Sequence, residues 1–256
     1  MSNKQIKTNW DYSQLAKYYD NRADYSEKLV IKILKLIKCK HNYPVADIGA
    51  GTGKLTKLLA KNNLIIHAIE PNLNMMRYGK KNTINQKKLS WNLGTAEKTG
   101  LNSNSIFCAF FGSSFNTVNH LQSLNEVKRI LIPKGYFCCM WNHRDLSNLH
   151  QKEIEKIILK EIPKFNYGTR RIDYSNYLKK QIIFEKVINL KQNFQVNLKK
   201  NIFLDGWKSH GTLKRNCKNS KQFKKIIRRI ENYIQSVKGQ EIKIPYTNVA
   251  FLAKLK

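Results

Sequence analysis

The chain has 256 residues, 41% of them hydrophobic, enough for one large domain, or a domain with a cap, around a real core. No run approaches the ~18 apolar residues of a membrane span, and Met1-Ser2-Asn3-Lys4-Gln5 carries no apolar segment, so no span and no secretory leader is expected. With 47 Lys and Arg against 17 Asp and Glu, the formal net charge of +30 points to anionic partners, although the lysines are spread evenly among many Asn and Ile, which share AT-rich codons, and lack the aromatic platform of a single-strand binder.

Residues 8–40 are predicted as a helical lead-in. Trp10, Tyr12, Leu15, Tyr18 and Tyr19 crowd its first part, Asp20-Asn21-Arg22-Ala23-Asp24-Tyr25 breaks it, and Lys28–Lys38 follows as an amphipathic helix with Leu29, Ile33, Leu36 and Ile37 on one face. Val45–Ile48, preceded by Pro44, reads as a buried parallel strand. It runs into Gly49-Ala50-Gly51-Thr52-Gly53 and then into a helix over Lys54–Lys61 with Leu55, Leu58 and Leu59 at helical spacing. Glycines let a ligand lie against the backbone, and the following helix aims its free N–H groups at it. A phosphate-cradling P-loop is excluded, because Ile48 stands where its first glycine belongs and Leu55 follows Lys54. The dinucleotide fingerprint G-x-G-x-x-G fails because the third glycine comes one residue early.

Leu64–Glu70 is a second strand ending in a carboxylate before Pro71. A strand-tip acid at this place can accept both hydroxyls of a ribose, or it can cap the next helix. Met75 and Met76 open that helix, either as the floor of an aromatic base or as core. Lys88–Gly94 is a third strand, followed by Thr95-Ala96-Glu97. Ile106–Phe111 is a fully apolar and therefore central fourth strand, followed by Gly112-Ser113-Ser114-Phe115-Asn116-Thr117. A helix over Leu121–Leu131, a turn at Pro133-Lys134-Gly135 and a fifth strand over Tyr136–Trp141 come next. Beyond them, Leu149–Ile162 reads as helix, Phe184–Leu198 alternates as a strand would, and a basic helix spans Ser220–Val237. Ile242–Ala253 reads as the last strand. The five cysteines (39, 108, 138, 139 and 217) are odd in number, include an adjacent pair and form no C-x-x-C, so reduced thiols in a cytoplasm are expected, with no disulfide framework and no metal site.

Asp47-x-Gly49-x-Gly51-x-Gly53 resembles motif I of the class I S-adenosylmethionine (SAM)-dependent methyltransferases. Three more segments share the resemblance: Ala16-Lys17-Tyr18-Tyr19-Asp20-Asn21-Arg22 to A-x-x-Y-D-x-x-R, Gly94-Thr95-Ala96-Glu97 to G-x-A-E, and Glu126–Gly135 to E-x-x-R-I-L-K-P-G-G. A weaker likeness links Trp207-Lys208-Ser209-His210 to the W-x-S-x-S of trans-aconitate-type small-molecule enzymes. The resemblance covers about residues 16–145. It implies an α/β, Rossmann-like, doubly wound seven-stranded sheet with an antiparallel last strand and a helical substrate cover. The expected organisation is a helical cover over 1–40, a SAM-binding core over 41–145, a variable substrate cover over 146–240, and the final core strand over 241–256.

By the same resemblance, SAM is the cofactor. Its expected contacts are Arg22 (near the methionine carboxylate), Asp47, Gly49, Gly51, Gly53, Glu70, Pro71, Met75, Ala96, Glu97 and Ser113. Tyr19, Tyr25, Arg144, Arg171 and His210 are the candidate substrate contacts, and Arg170 beside them would suit an anion. His143, at the exit of strand five with Asp145 to orient it, is the candidate base, with His120 and His210 behind it, and Asn116 stands where the family often has a histidine. The expected activity is methyl transfer to a small or medium metabolite, more readily at oxygen. A tRNA or rRNA methyltransferase using the basic surface and a non-catalytic SAM-binding regulator are the alternatives. No N/D-P-P-Y/F/W string is present, which argues against amino methylation of DNA bases.

Overall fold

The computed structural model describes residue 6 and residues 16–256, so Trp10, Tyr12 and Leu15 lie outside the described residues. Along the chain run α1 (Ala16–Tyr19), α2 (Glu27–Leu36), β1 (Pro44–Ile48), α3 (Lys54–Ala60), β2 (Ile65–Glu70), α4 (Leu73–Asn82), β3 (Leu89–Leu93) and β4 (Ile106–Gly112). These are followed by α5 (His120–Ile130), β5 (Leu131–Arg144), α6 (Leu149–Glu161), α7 (Ser175–Lys179), β6 (Phe184–Lys199), α8 (Lys200–Lys208), α9 (Gly211–Asn216), α10 (Ser220–Ser236) and β7 (Glu241–Leu255). The strands form one seven-stranded sheet in the order β3-β2-β1-β4-β5-β7-β6, with β7 antiparallel to β5 and the first five strands mutually parallel. This is the expected doubly wound sheet. The order reverses beside β1, so the carboxyl ends of β1 and β4 diverge there and leave a crevice.

Strand periodicity divides the core in two. Ala46, Ile48, Ala109, Phe111, Phe137, Cys139 and Trp141 face α5 and α7, while Val45, Ile66, Cys108, Phe110, Cys138 and Met140 face α2 and α3. Both faces are covered, and so β4 is apolar along nearly its whole length. A third cluster lies beyond the sheet. Ile154 and Ile158 of α6, Phe203 and Trp207 of α8, and Ile226, Ile230 and Ile234 of α10 pack on Ile242, Ile244 and Tyr246 of β7. The β6–β7 ladder pairs Phe184 with Leu255 and runs on to Lys199 with Glu241, whereas β5 pairs β7 only from Tyr246 onward. The overhanging hairpin is therefore the platform on which the helical cover is built.

Pro133-Lys134-Gly135 corrects the sequence expectation. Instead of a turn ahead of the strand, these residues form an irregularity inside β5, where pairing with β4 jumps from Ile106↔Leu131 to Cys108↔Tyr136. Lys134 takes φ 62, and the extra residues loop out opposite Phe107. Gly206–Lys208 also turns out to be helical, as the end of α8.

Candidate functional site

Two cavities meet at the carboxyl edge of the sheet, sharing Tyr19 and Ser113 in their walls. The larger, about 400 Å³, lies over the glycine turn. Gly49 and Gly51 line it at φ 71 and 59. A Cβ on Gly49 would lie 2.5 Å from the Ser114 Cβ, so only glycine closes the turn this tightly. Gly53, at φ 81, is the N-cap of α3 and faces Thr83 and Trp91 rather than the cavity. The Gly51 N–H donates to Glu70 Oε2 (2.8 Å) and the Asn72 N–H to Glu70 Oε1 (2.9 Å), which holds the carboxylate at the tip of β2 with both oxygens oriented. Burial pushes the Glu70 pKa up to about 7, against those two hydrogen bonds.

Pro71, Met75, Ala96, Glu97 and Ser113 line the same cavity, as do Thr95, Ser114, Thr117, Asn119 and Gln122. Glu97 accepts the Asn119 N–H at 2.8 Å and so ties the end of β3 to the start of α5. Asp47 sits behind the turn. It is fully buried, its Oδ2 accepts from Thr56 Oγ1 at 2.6 Å, and its Oδ1 has no partner among the described residues. Burial raises its pKa to about 6. A glycine cradle and an oriented strand-tip carboxylate together fit an adenosyl group: Glu70 would take the ribose hydroxyls, and Met75 and Ala96 would border the base, whereas Asp47, expected at the cofactor, lines neither cavity.

The second cavity is smaller, about 90 Å³, and lies between the sheet edge and the cover. Tyr25, Arg22, Arg144, Arg170, Arg171, His143 and His210 all line it. Arg22 is here rather than in the cofactor cavity: its guanidinium stacks on Tyr19 (4.2 Å to the ring centre) and donates to Ser209 Oγ (2.9 Å) and to the Ser209 carbonyl. Tyr25 donates to Ser113 Oγ (2.9 Å) at the junction of the two cavities. The strap that carries them is pinned from three sides. Lys54 pairs with Asp24 (2.6 Å), Asn142 Nδ2 donates to the Ala23 and Asp24 carbonyls, and Asn21 donates to Asp205 of α8 (2.8 Å).

The histidines are placed differently from expectation. His143 Nε2 donates to the Arg170 carbonyl (2.8 Å), which leaves Nδ1 with the lone pair. Burial is the main reason its pKa drops to about 4; the Arg171 and Arg170 charges add to it, while the bond to the Arg170 carbonyl opposes it. Asp145 does not orient this ring: it is exposed and caps Ser147. His210 is buried, stacks on Trp207 (5.1 Å) and accepts the Leu213 N–H on Nδ1, so Nε2 carries its proton. His120 stacks on Phe115 and donates to its carbonyl, outside both cavities. Asn116 lines neither cavity, and its Oδ1 accepts from Trp141 Nε1 at 2.9 Å. Sequence reasoning missed Asn142, Gln151 and Tyr167 as wall residues. Gln151 could have been found, because it shares the buried stripe of α6 with Ile154 and Ile158, where a polar residue is out of pattern.

Residues 46–139 match the family described as "Methyltransferase domain". An uncharacterized methyltransferase of Mycobacterium tuberculosis is 29% identical over 157 residues, 56% of this chain and 62% of that protein, so the match spans less than two thirds of this curated relative. The fold is shared with a candidate type II methyltransferase of Anaeromyxobacter dehalogenans (TM-score 0.61, 14% identity, 91% of this chain and 97% of that one). It is also shared with phosphoethanolamine N-methyltransferase 2 of Haemonchus contortus, solved with phosphomonomethylethanolamine and S-adenosylhomocysteine (TM-score 0.56, 15% identity, 98% of this chain and 60% of that one). Residues 46–139 are thus similar to the methyltransferase-domain family, and the chain shares its fold, a seven-stranded sheet with an antiparallel last strand beside five parallel ones, with these methyltransferase structures.

Proposed function

We propose that this protein transfers the methyl group of SAM to an oxygen of a small anionic metabolite. The observation that carries the reading is the second chamber. It adjoins the glycine-turn cavity through Tyr19 and Ser113, is small, and is lined by Lys54, Arg22, Arg144, Arg170 and Arg171, with no Asp or Glu in its wall among the described residues. When bound, SAM supplies a methyl group already activated on a sulfonium. The chain's part is to hold the acceptor in line and keep water out, and alignment alone is worth several kcal/mol. Tyr19, Tyr25 and Ser113 would border the crossing point. The arginines favour oxygen over nitrogen, because an ammonium acceptor would be repelled where a carboxylate or phosphate-bearing alcohol is attracted. A carboxylate acceptor needs no base. For a hydroxyl acceptor the neutral His143, with Nδ1 open, is the group placed to receive the proton.

The free thiols, three of them buried in the sheet, fit a reducing compartment. Among the described residues no helix is long and apolar enough to cross a membrane. The test is calorimetric titration with SAM, S-adenosylhomocysteine, NAD and ATP. Micromolar binding of the two adenosyl sulfur compounds alone is expected, and failure of both to bind would remove the reading. Steeply salt-dependent RNA binding with methyl transfer to RNA would instead favour an RNA methyltransferase. Cofactor binding without transfer to any acceptor would favour a regulator.

A further inference from the structure

We infer that Gln151 and Tyr167, together with Arg144 and Arg171, form an oxyanion anchor at the cover end of the second chamber, which takes a carboxylate or phosphoryl group carrying a neighbouring hydroxyl or N–H donor. The inference deepens the proposed function and rests on it for the identity of the chamber as the acceptor site.

Gln151 is 1% exposed, and both its Nε2 and its Oε1 are buried without a partner among the described residues. Buried amides are almost always hydrogen-bonded, so an unpaired one in a cavity wall marks a place where a ligand completes the pairing. The Tyr167 hydroxyl is in the same condition and lines the same cavity. The two guanidiniums are fixed beside it. Arg171 lies 5.3 Å from the centre of the Tyr167 ring and donates to the Arg144 carbonyl (2.6 Å). Arg144 lies 4.4 Å from the centre of Trp207 and donates to Tyr246 Oη (3.1 Å). Among the described residues neither arginine has an ion pair, and Glu155, whose charge reaches Arg171 and Tyr167, is not within ion-pair distance of Arg171. Two held guanidiniums, a hydroxyl and an amide N–H offer donors to one oxyanion.

The acceptors in the wall narrow the ligand further. Gln151 Oε1 is unpaired, and so is Asn142 Oδ1, which faces away from the strap because Asn142 Nδ2 is committed to the Ala23 and Asp24 carbonyls. A bare anion would leave both oxygens unsatisfied and repelled, whereas a ligand with an O–H or N–H beside its anionic group pairs with them.

The test uses the full chain saturated with S-adenosylhomocysteine, with ligand-observed NMR titration of four probes: L-malate, glycerol 3-phosphate, succinate and glycerol. Malate or glycerol 3-phosphate should bind, with succinate weaker and glycerol not detected. Binding of malate alone identifies a carboxylate anchor, and binding of glycerol 3-phosphate alone a phosphoryl one. Gln151→Leu and Tyr167→Phe should each weaken the bound anion by about tenfold or more, while S-adenosylhomocysteine affinity stays at the wild-type value. Tyr167→Phe keeps the ring beside Arg171 and so reports the hydroxyl without disturbing the fold. The anchor is overturned if neither anion binds the loaded protein, if both variants bind it as tightly as wild type, or if glycerol binds equally well. Failure of S-adenosylhomocysteine itself to bind would instead overturn the methyltransferase reading, and is read separately.

Discussion

Glu70 should make cofactor binding depend on pH. It is 6% exposed, and its carboxyl is pushed up to about 7, chiefly by burial, although the Gly51 and Asn72 N–H groups stabilise the charge. The ordinary value for this carboxyl is 4.5, so the displacement corresponds to about 3 kcal/mol. Between those two values the folded protein holds a proton that the unfolded chain has released. The stability of the free protein therefore falls by up to that amount as pH rises across the window, and is flat above about 7. Cofactor affinity runs the other way: the ribose hydroxyls need carboxylate lone pairs, so affinity should rise up to about tenfold per pH unit below ~7 and level off above it. Asp47 titrates lower, near about 6, which a variant must separate. Glu70→Gln removes the ionisation and turns an amide NH₂ toward either the Gly51 or the Asn72 N–H, so SAM binding should weaken by about 1–3 kcal/mol and its pH slope near ~7 should vanish. Calorimetry from about pH 5.5 to about 8.5 on both proteins reads this directly. A wild-type affinity that is flat over that range, or a variant that keeps both affinity and slope, would refute the reasoning.

Three further outcomes follow from the packing. Burial works against ionisation of Glu126, yet the bonds from Arg129, Thr99 Oγ1 and the Thr99 N–H outweigh it and hold its carboxyl down near about 2. Discounted for the half-exposed Arg129, Glu126→Gln should cost about 1–2 kcal/mol at neutral pH by urea unfolding. In wild type that contribution is full above ~4.5 and should disappear as pH falls toward ~2; equal losses at neutral and acid pH would contradict it. Gly51→Ala places a side chain at φ 59 and 3.3 Å from the Met75 methyl, and should weaken SAM binding at least about tenfold while costing about 1 kcal/mol of stability. Ile230→Ala opens a cavity in the fully buried cover cluster and should cost about 2–5 kcal/mol in chemical unfolding, with SAM affinity unchanged because the cofactor cavity lies elsewhere.

The parts of the site that are local in the chain were legible before the fold was known. The turn at Gly49–Gly53 and the carboxylate at Glu70 are each written in a few consecutive residues, and the alternation of strands and helices brings them to one edge. What depends on distant partners was not. Pro133–Gly135 reads as a turn in isolation, and only pairing with β4 makes it a bulge within β5. Asp145 looked like the orienter of His143 because it is two residues away, but a strand exit sends them apart and the Arg170 carbonyl, twenty-seven residues on, takes the ring. Arg22 meets Ser209, which no spacing rule links to it. Gln151 was visible only as a break in an apolar stripe, and its meaning came from the cavity it lines.

The most direct measurement incubates the protein with methyl-labelled SAM and a fractionated metabolite extract, and follows label into neutral, cationic, anionic and RNA fractions. The account predicts label in small anionic compounds or their esters, bound through oxygen and released by alkali where the acceptor is a carboxylate, and sharply reduced for Arg171→Met at unchanged SAM affinity. Label found only in RNA or in amines, or transfer indifferent to Arg171, would contradict it.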